Sequence, residues 1–183
     1  MKHNTVLAWI DLEMTGLSPE HDDILEVCLV VTDVDLNVLE PARNWVIGAQ
    51  AETLNSMSNY VKQMHQHSGL YQDCLDSELT LSEVQDQLRQ ALNVYRGYDI
   101  LLSGNSITTD RMFIRKHMQH IEELLHYRQI DVTSLKLLVS YWCPKLAVYP
   151  KVNKHRALDD IYESISELGY YQNAIFSKNN LDQ

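Results

Sequence analysis

The sequence predicts an α/β fold, a mixed five-stranded sheet flanked by helices, with elements in the order β-β-β-α-β-α-β-α. Three observations predict it. Residues 24–32 form an apolar, β-branched run suited to a central strand. Thr80-Leu81-Ser82-Glu83 is a capping box, and Val84, Leu88, Ala91, Leu92 and Tyr95 follow it at helical spacing. Short apolar segments at 6–10 and 100–102 lie before and after that helix. Strand, helix, strand implies a crossover connection and parallel pairing of those two segments.

The elements follow in order. The first strand runs through the apolar residues 6–10 to Asp11 and Glu13, and Thr15-Gly16 ends it with a turn signal. Residues 18–23 read as a loop before the central strand. Asp35-Leu36-Asn37 is a turn, and residues 38–47 read as a returning strand in which Pro41 marks a bulge or an edge. Residues 52–76 are short, polar and mixed, which predicts short helices joined by loops. Gly97 stops the capped helix before the strand at 100–102. Gly104-Asn105-Ser106-Ile107-Thr108-Thr109-Asp110 then leads into a helix starting near Thr108. Residues 124–127 close another helical segment, and 128–131 are a short strand. Thr133 is expected to cap a helix with Leu135, Leu138, Val139 and Trp142 as its apolar positions, with Pro144 after its end. A last helix carries Leu158, Ile161, Ile165 and Leu168 on one face, and residues 177–183 are expected to fray.

A chain of 183 residues with no repeat, linker or low-complexity tract is expected to form one domain spanning 1–183. No apolar stretch approaches the length of a membrane span, and Asp11 cuts the first apolar run too short for a signal-peptide core. Cys28, Cys74 and Cys143 are odd in number and widely spaced, which argues against a disulfide framework or structural zinc and for a reducing cytoplasm. The net charge of −10 argues against a grip on long or duplex nucleic acid, because such binding needs an extended basic surface. It leaves two openings: a metal site that gathers carboxylates, or a small anionic ligand held by a few local cations.

Asp11 and Glu13 are two apart on a strand, so both point to one face. Two adjacent carboxylates repel unless a cation sits between them. A solvated strand end would explain the pair alone, so further acids decide the matter. Asp110 falls in the first turn of its helix, where it either joins such a site or complements the helix dipole. His155 precedes the last helix and Asp160 lies within it, so both can look at one site, whereas Asp159 points elsewhere as a solvated charge. His65 and His67 diverge on a helix and do not have zinc-ligand spacing.

Asp11, Glu13, Asp110, Asp160 and His155 match, in order and spacing, the exonuclease superfamily named for its Asp-Glu-Asp-Asp acids, in the branch with a histidine five residues before the last aspartate. That superfamily has the ribonuclease H-like fold. The segments Asp11-Leu12-Glu13-Met14-Thr15-Gly16-Leu17, Gly104-Asn105-Ser106-Ile107, His126-Tyr127-Arg128 and Asp131-Val132-Thr133 resemble the oligoribonuclease family, and the resemblance runs over residues 7–171. Thr108-Thr109 departs from the Gly-Gln common before the central aspartate, and Tyr60 stands where many members have tryptophan.

The resemblance implies a 3′-to-5′ exoribonuclease that degrades short single-stranded RNA, down to dinucleotides, to nucleoside 5′-monophosphates. It implies that Asp11, Glu13, Asp110 and Asp160 hold two divalent ions, Mg²⁺ or Mn²⁺, and that His155 is the general base. Two such ions activate water and stabilise a leaving oxygen, and hard cations take oxygen ligands. The resemblance further implies that Leu17, Met14, Tyr60, His65 and Ser106 meet the substrate. It implies a homodimer in which Tyr127, counted among the catalytic residues, comes with Arg128 and Thr133 from the second subunit. A DNA-directed proofreading exonuclease and a non-catalytic nucleotide-binding module on the same fold are the alternatives.

Overall fold

The computed structural model describes residues 4–150 and 156–175; His155 and the tail at 177–183 lie outside them. One mixed sheet of five strands has the order β3-β2-β1-β4-β5. Its strands are β1 (Thr5–Met14), β2 (Ile24–Thr32), β3 (Arg43–Val46), β4 (Asp99–Gly104) and β5 (Gln129–Asp131). β2 runs antiparallel to both β1 and β3, while β4 lies parallel to β1 and to β5. The crossover read from the capped helix is therefore present.

The first two strands are buried on both faces, which is why they read as apolar runs rather than alternations. On one face Val6, Ala8, Ile10 and Leu12 pack against α4 (Leu81–Asn93), α5 (Thr108–His117) and α6 (Gln119–Glu122). On the other, Leu7, Trp9, Cys28 and Val30 meet α7 (Val132–Trp142) and α8 (Ala157–Ile175). Period two along β1 carries Asp11 and Glu13 onto this second face, in line with Leu7 and Trp9. A third cluster, Leu25, Leu54, Met57, Leu70 and Cys74, seats α1 (Ala51–Ser56), α2 (Asn59–Ser68) and α3 (Leu70–Asp76), the short helices expected at 52–76. The capping box of α4 has both reciprocal bonds.

Four local readings need correction. The returning strand keeps only Arg43–Val46 and one isolated bridge between Thr32 and Val38; Pro41 has no N–H for a ladder, and β3 is the sheet edge. Residues 124–127 are not helical, because the buried Arg111 guanidinium takes the carbonyls of His126 and Tyr127. Asp131, not Thr133, caps α7: its side chain accepts from the Thr133 N–H at 2.9 Å. Leu138 and Trp142 face outward, while Val139 is buried and Leu135 packs beside it.

Candidate metal centre

Asp11, Glu13 and Asp160 each offer a carboxylate oxygen, and these atoms all lie within 4.8 Å of one another. β1 supplies the first two. α8 packs across the same sheet face through Ala157 and Ile161 and brings its first turn, with Asp160, over them. Asp110 arrives from the opposite side. β4 pairs with β1 only as far as Trp9–Ser103, so the Leu12 N–H lies beyond the last rung of that ladder. Asp110 Oδ1 accepts from it at 3.0 Å. The first turn of α5 is thus tied to the end of β1, and Asp110 is buried there rather than facing solvent at a helix dipole.

The electrostatics follow from this crowding. Burial first, then the charges of Asp110, Glu13, Asp160 and Glu26, hold the Asp11 carboxyl well above the usual carboxylate range. Burial, Asp160, Glu26 and Asp110 push Glu13 up to about 8, and Arg156 opposes them. Burial pushes Asp110 up to about 7 against the bonds from the Leu12 and Asp110 amides, with Asp131 adding to the rise. Arg156 offsets only part of this crowded negative charge. The donors of these carboxyls are all hard oxygens. Cys28, paired with Asp11 across the sheet, offers no thiolate, since burial raises its thiol to about 12. The set fits a hard divalent cation, which Asp11, Glu13 and Asp160 are placed together to hold.

The other expected residues are spread over several segments. His65 is buried under the end of β1, donating from Nε2 to the Met14 carbonyl at 2.9 Å, with Nδ1 3.9 Å from Glu13. Met14 itself is half-buried, and His67 is exposed. Leu17 and Tyr60 are each 75% exposed on segments that flank this strand end. Ser106, at φ 52°, gives its N–H to Asp131 and to Thr133 Oγ1, and Thr133 donates in turn to Asn105. Thr133 is therefore fastened to Ser106 within its own chain. Tyr127 and Arg128 form an exposed stacked pair, the guanidinium 4.9 Å from the ring centre. Asp159 is exposed, as expected.

Motif reading missed Glu26, Arg156, Arg111 and Asp22, which hold the others in place. A signal for the first existed: a lone glutamate in the apolar run at 24–32 requires a buried cation to match it. Asp22 orders the Leu17 loop, accepting from Thr15 Oγ1 at 3.0 Å and from Ser18 N–H at 2.9 Å.

A helix-flanked mixed sheet with carboxylates gathered at the end of its central strand belongs to the ribonuclease H-like class of folds. The family profile described as Exonuclease matches residues 8–168. The chain is 44% identical over 168 residues to an oligoribonuclease of Tropheryma whipplei, covering 91% of each. It is 41% identical over 172 residues to one of Francisella tularensis subsp. novicida, covering 93% of this chain and 96% of the other. The chain belongs to the exonuclease family and, within it, to the oligoribonucleases, and it is a hydrolase. The fold is also that of exonuclease I from Methylocaldum szegediense (TM-score 0.70, 15% identity). It matches E. coli exonuclease I in complex with a 5cy-dT13 oligonucleotide as well (TM-score 0.72, 12% identity). The alignments cover 92% and 93% of this chain but only 40% and 41% of those longer chains.

Proposed function

We propose that the protein is a 3′-to-5′ exoribonuclease that hydrolyses very short single-stranded oligoribonucleotides, dinucleotides included, to nucleoside 5′-monophosphates with two Mg²⁺ or Mn²⁺ ions. The observation that carries this reading is the convergence of Asp11, Glu13 and Asp160 within 4.8 Å, with Asp110 tied to the Leu12 N–H beside them. Bound divalent ions supply charge against the phosphate and make water nucleophilic at neutral pH. Asp11, Glu13, Asp110 and Asp160 hold them. His155, two residues before Ala157 at the anchored start of α8, accepts the proton of the attacking water on its neutral imidazole. The water oxygen bonds to phosphorus as the bond from phosphorus to the 3′-oxygen of the preceding nucleotide breaks; that oxygen takes a proton from solvent to become a 3′-hydroxyl, and a 5′-monophosphate leaves. Leu17, Met14 and Tyr60 meet the bases, His65 fixes the strand end beneath them, and Ser106, set by Thr133, faces the substrate.

A homodimer completes the pocket. Leu137, Leu138, Tyr141 and Trp142 make an exposed apolar stripe on α7, the last two at 76% and 74%. A stripe of that kind favours burial against a second copy. Tyr127 and Arg128 of that copy then meet the sugar-phosphate end, where a guanidinium fork suits a phosphate. Among the described residues no helix is long and apolar enough to cross a membrane, and the three cysteines are free thiols. We place the activity in a reducing cytoplasm, where unpaired thiols persist.

Purified protein given RNA and DNA of two to twenty nucleotides tests the reading. Activity should be greatest on the shortest RNAs, vanish with chelator and return with Mg²⁺ or Mn²⁺. Asp11→Asn or Asp110→Asn should lower it by at least roughly 10²-fold while the fold is kept. A preference for long DNA would overturn the substrate assignment.

A further inference from the structure

Glu26 is completely buried on the sheet face that carries Asp11 and Glu13, directly opposite Glu13 in the β1–β2 register. An acid so placed could compete as a metal ligand. Its oxygens are already committed. Oε1 accepts from Arg156 Nη2 at 2.8 Å, Arg156 Nε at 3.2 Å and Asn44 Nδ2 at 2.9 Å. Oε2 accepts from the Ala157 N–H, the first of α8, at 3.2 Å.

Arg156 reaches further. Its Nη1 donates to the Ser68 carbonyl at the end of α2, the helix that carries His65, and lies 2.9 Å from Asp73 on α3. Its own carbonyl accepts from the Asp160 N–H at 3.1 Å. One guanidinium thus joins β2, α2, α3 and the first turn of α8. A planar fork can do this, whereas a lysine ammonium cannot span two acceptors and a carbonyl in fixed directions.

We propose that Arg156 is a positioning residue whose fork on buried Glu26 pins the first turn of α8 to the sheet and thereby presents Asp160 to Asp11 and Glu13. This rests on the reading of those acids as the metal-binding group. The pair also divides the local charge by role. Glu26 and Arg156 cancel, which leaves Asp11, Glu13, Asp110 and Asp160 as four negative charges matched to two divalent cations. The competing account is that α8 is held by its apolar contacts alone and Arg156 only adds stability.

Mn²⁺ affinity of the folded protein, measured by calorimetry without substrate, separates the two. Arg156→Gln, Arg156→Lys and Glu26→Gln should each weaken Mn²⁺ binding by about 10–100-fold, the range for residues that orient metal ligands. The double variant Glu26→Gln/Arg156→Gln should lose no more than the weaker-binding single variant, because the two groups act as a unit. Asp73→Asn, which removes only a partner on the exposed side, should stay within about threefold. Folded Arg156→Lys with wild-type Mn²⁺ affinity would overturn the proposal, as would additive losses in the double variant. If Arg156→Gln does not fold, Arg156→Lys and Glu26→Gln decide the matter. A wild type that binds Mn²⁺ but hydrolyses no oligonucleotide would sink the proposed activity and leave this assignment standing.

Discussion

A carboxyl group shut away from water keeps its proton, and Glu13, pushed from 4.5 to about 8, does so beside Asp160, Glu26 and Asp110. Because its value in the folded protein exceeds the unfolded one, the folded state binds the proton more tightly. Stability of the metal-free protein therefore falls as pH rises from about 4.5 to about 8, and above that the loss is complete. Asp11 and Asp110 shift in the same direction. A divalent ion binds the ionised carboxylates, so its stabilising effect should grow across that window. Calorimetry should show a larger Mg²⁺- or Mn²⁺-induced rise in Tm at pH 8 than at pH 5.5, with most of that difference gone in Glu13→Gln. An equal rise at both pH values would remove Glu13 from the metal-binding group. Asp11 and Glu13 stand out in the sequence as paired carboxylates on one strand, whereas Asp110 and Asp160, single acids on helices, are picked out only by the family resemblance. Arg156 could not be read there, and Glu26, alone in its apolar run, signals a buried cation without saying which one. Each is a single charge, and their pairing across 130 positions exists only once the chain is folded.

Element boundaries were readable wherever one strong local signal stood alone. Ile24–Thr32 is a strand with those bounds because nothing within it competes with the sheet. The α4 start was fixed by Thr80 and Glu83. The reading failed where a distant side chain outbid the local one, as when Arg111 draws off the carbonyls at 126 and 127. The loop after β1 lies between these cases. Thr15-Gly16 marked the turn, but Asp22, which organises it, carried no signal. Thr15 N–H bonds the Asp23 carbonyl, Asp22 N–H bonds the Ser18 carbonyl, and His117 of α5 donates to the Pro19 carbonyl. Leu17 is thus exposed on a segment with most of its polar groups fixed, the arrangement of a contact residue rather than of a floppy tip. A Cβ at Gly16 would strike the Asp22 carboxylate. Gly16→Ala should displace that carboxylate and shift Leu17, lowering kcat/KM on dinucleotides roughly 10–100-fold, as small misplacements of a positioned group do. Mn²⁺ affinity should stay near wild type. Unchanged dinucleotide kinetics would mean that Leu17 does not hold the bases.

At the scale of the molecule, the chain carries −10 yet is proposed to act on a polyanion. The opposition resolves if affinity comes from a small closed pocket rather than from an extended basic face. In the proposed reading the acids and their metals form one end of such a pocket. The stacked Tyr127–Arg128 pair is exposed on the loop before β5 and is suited to reach a neighbouring copy. A pocket closed by a second subunit admits a dinucleotide and excludes a continuing strand. Tyr127→Ala or Arg128→Ala should therefore cut dinucleotide hydrolysis by on the order of 10²-fold without weakening Mn²⁺ binding, as loss of a phosphate clamp does. The composite arrangement makes a sharper demand. Asp110→Asn and Arg128→Ala chains, each nearly inactive alone, should recover activity when mixed and allowed to exchange subunits. In the mixed dimer one pocket combines intact acids from one chain with an intact Arg128 from the other. Recovery should approach a quarter of wild-type activity, because random exchange makes half of the dimers mixed and each has one complete pocket of two. Failure to recover, with exchange verified by mass, would place Arg128 in its own chain's pocket, and a fully active monomer would end the dimer model altogether.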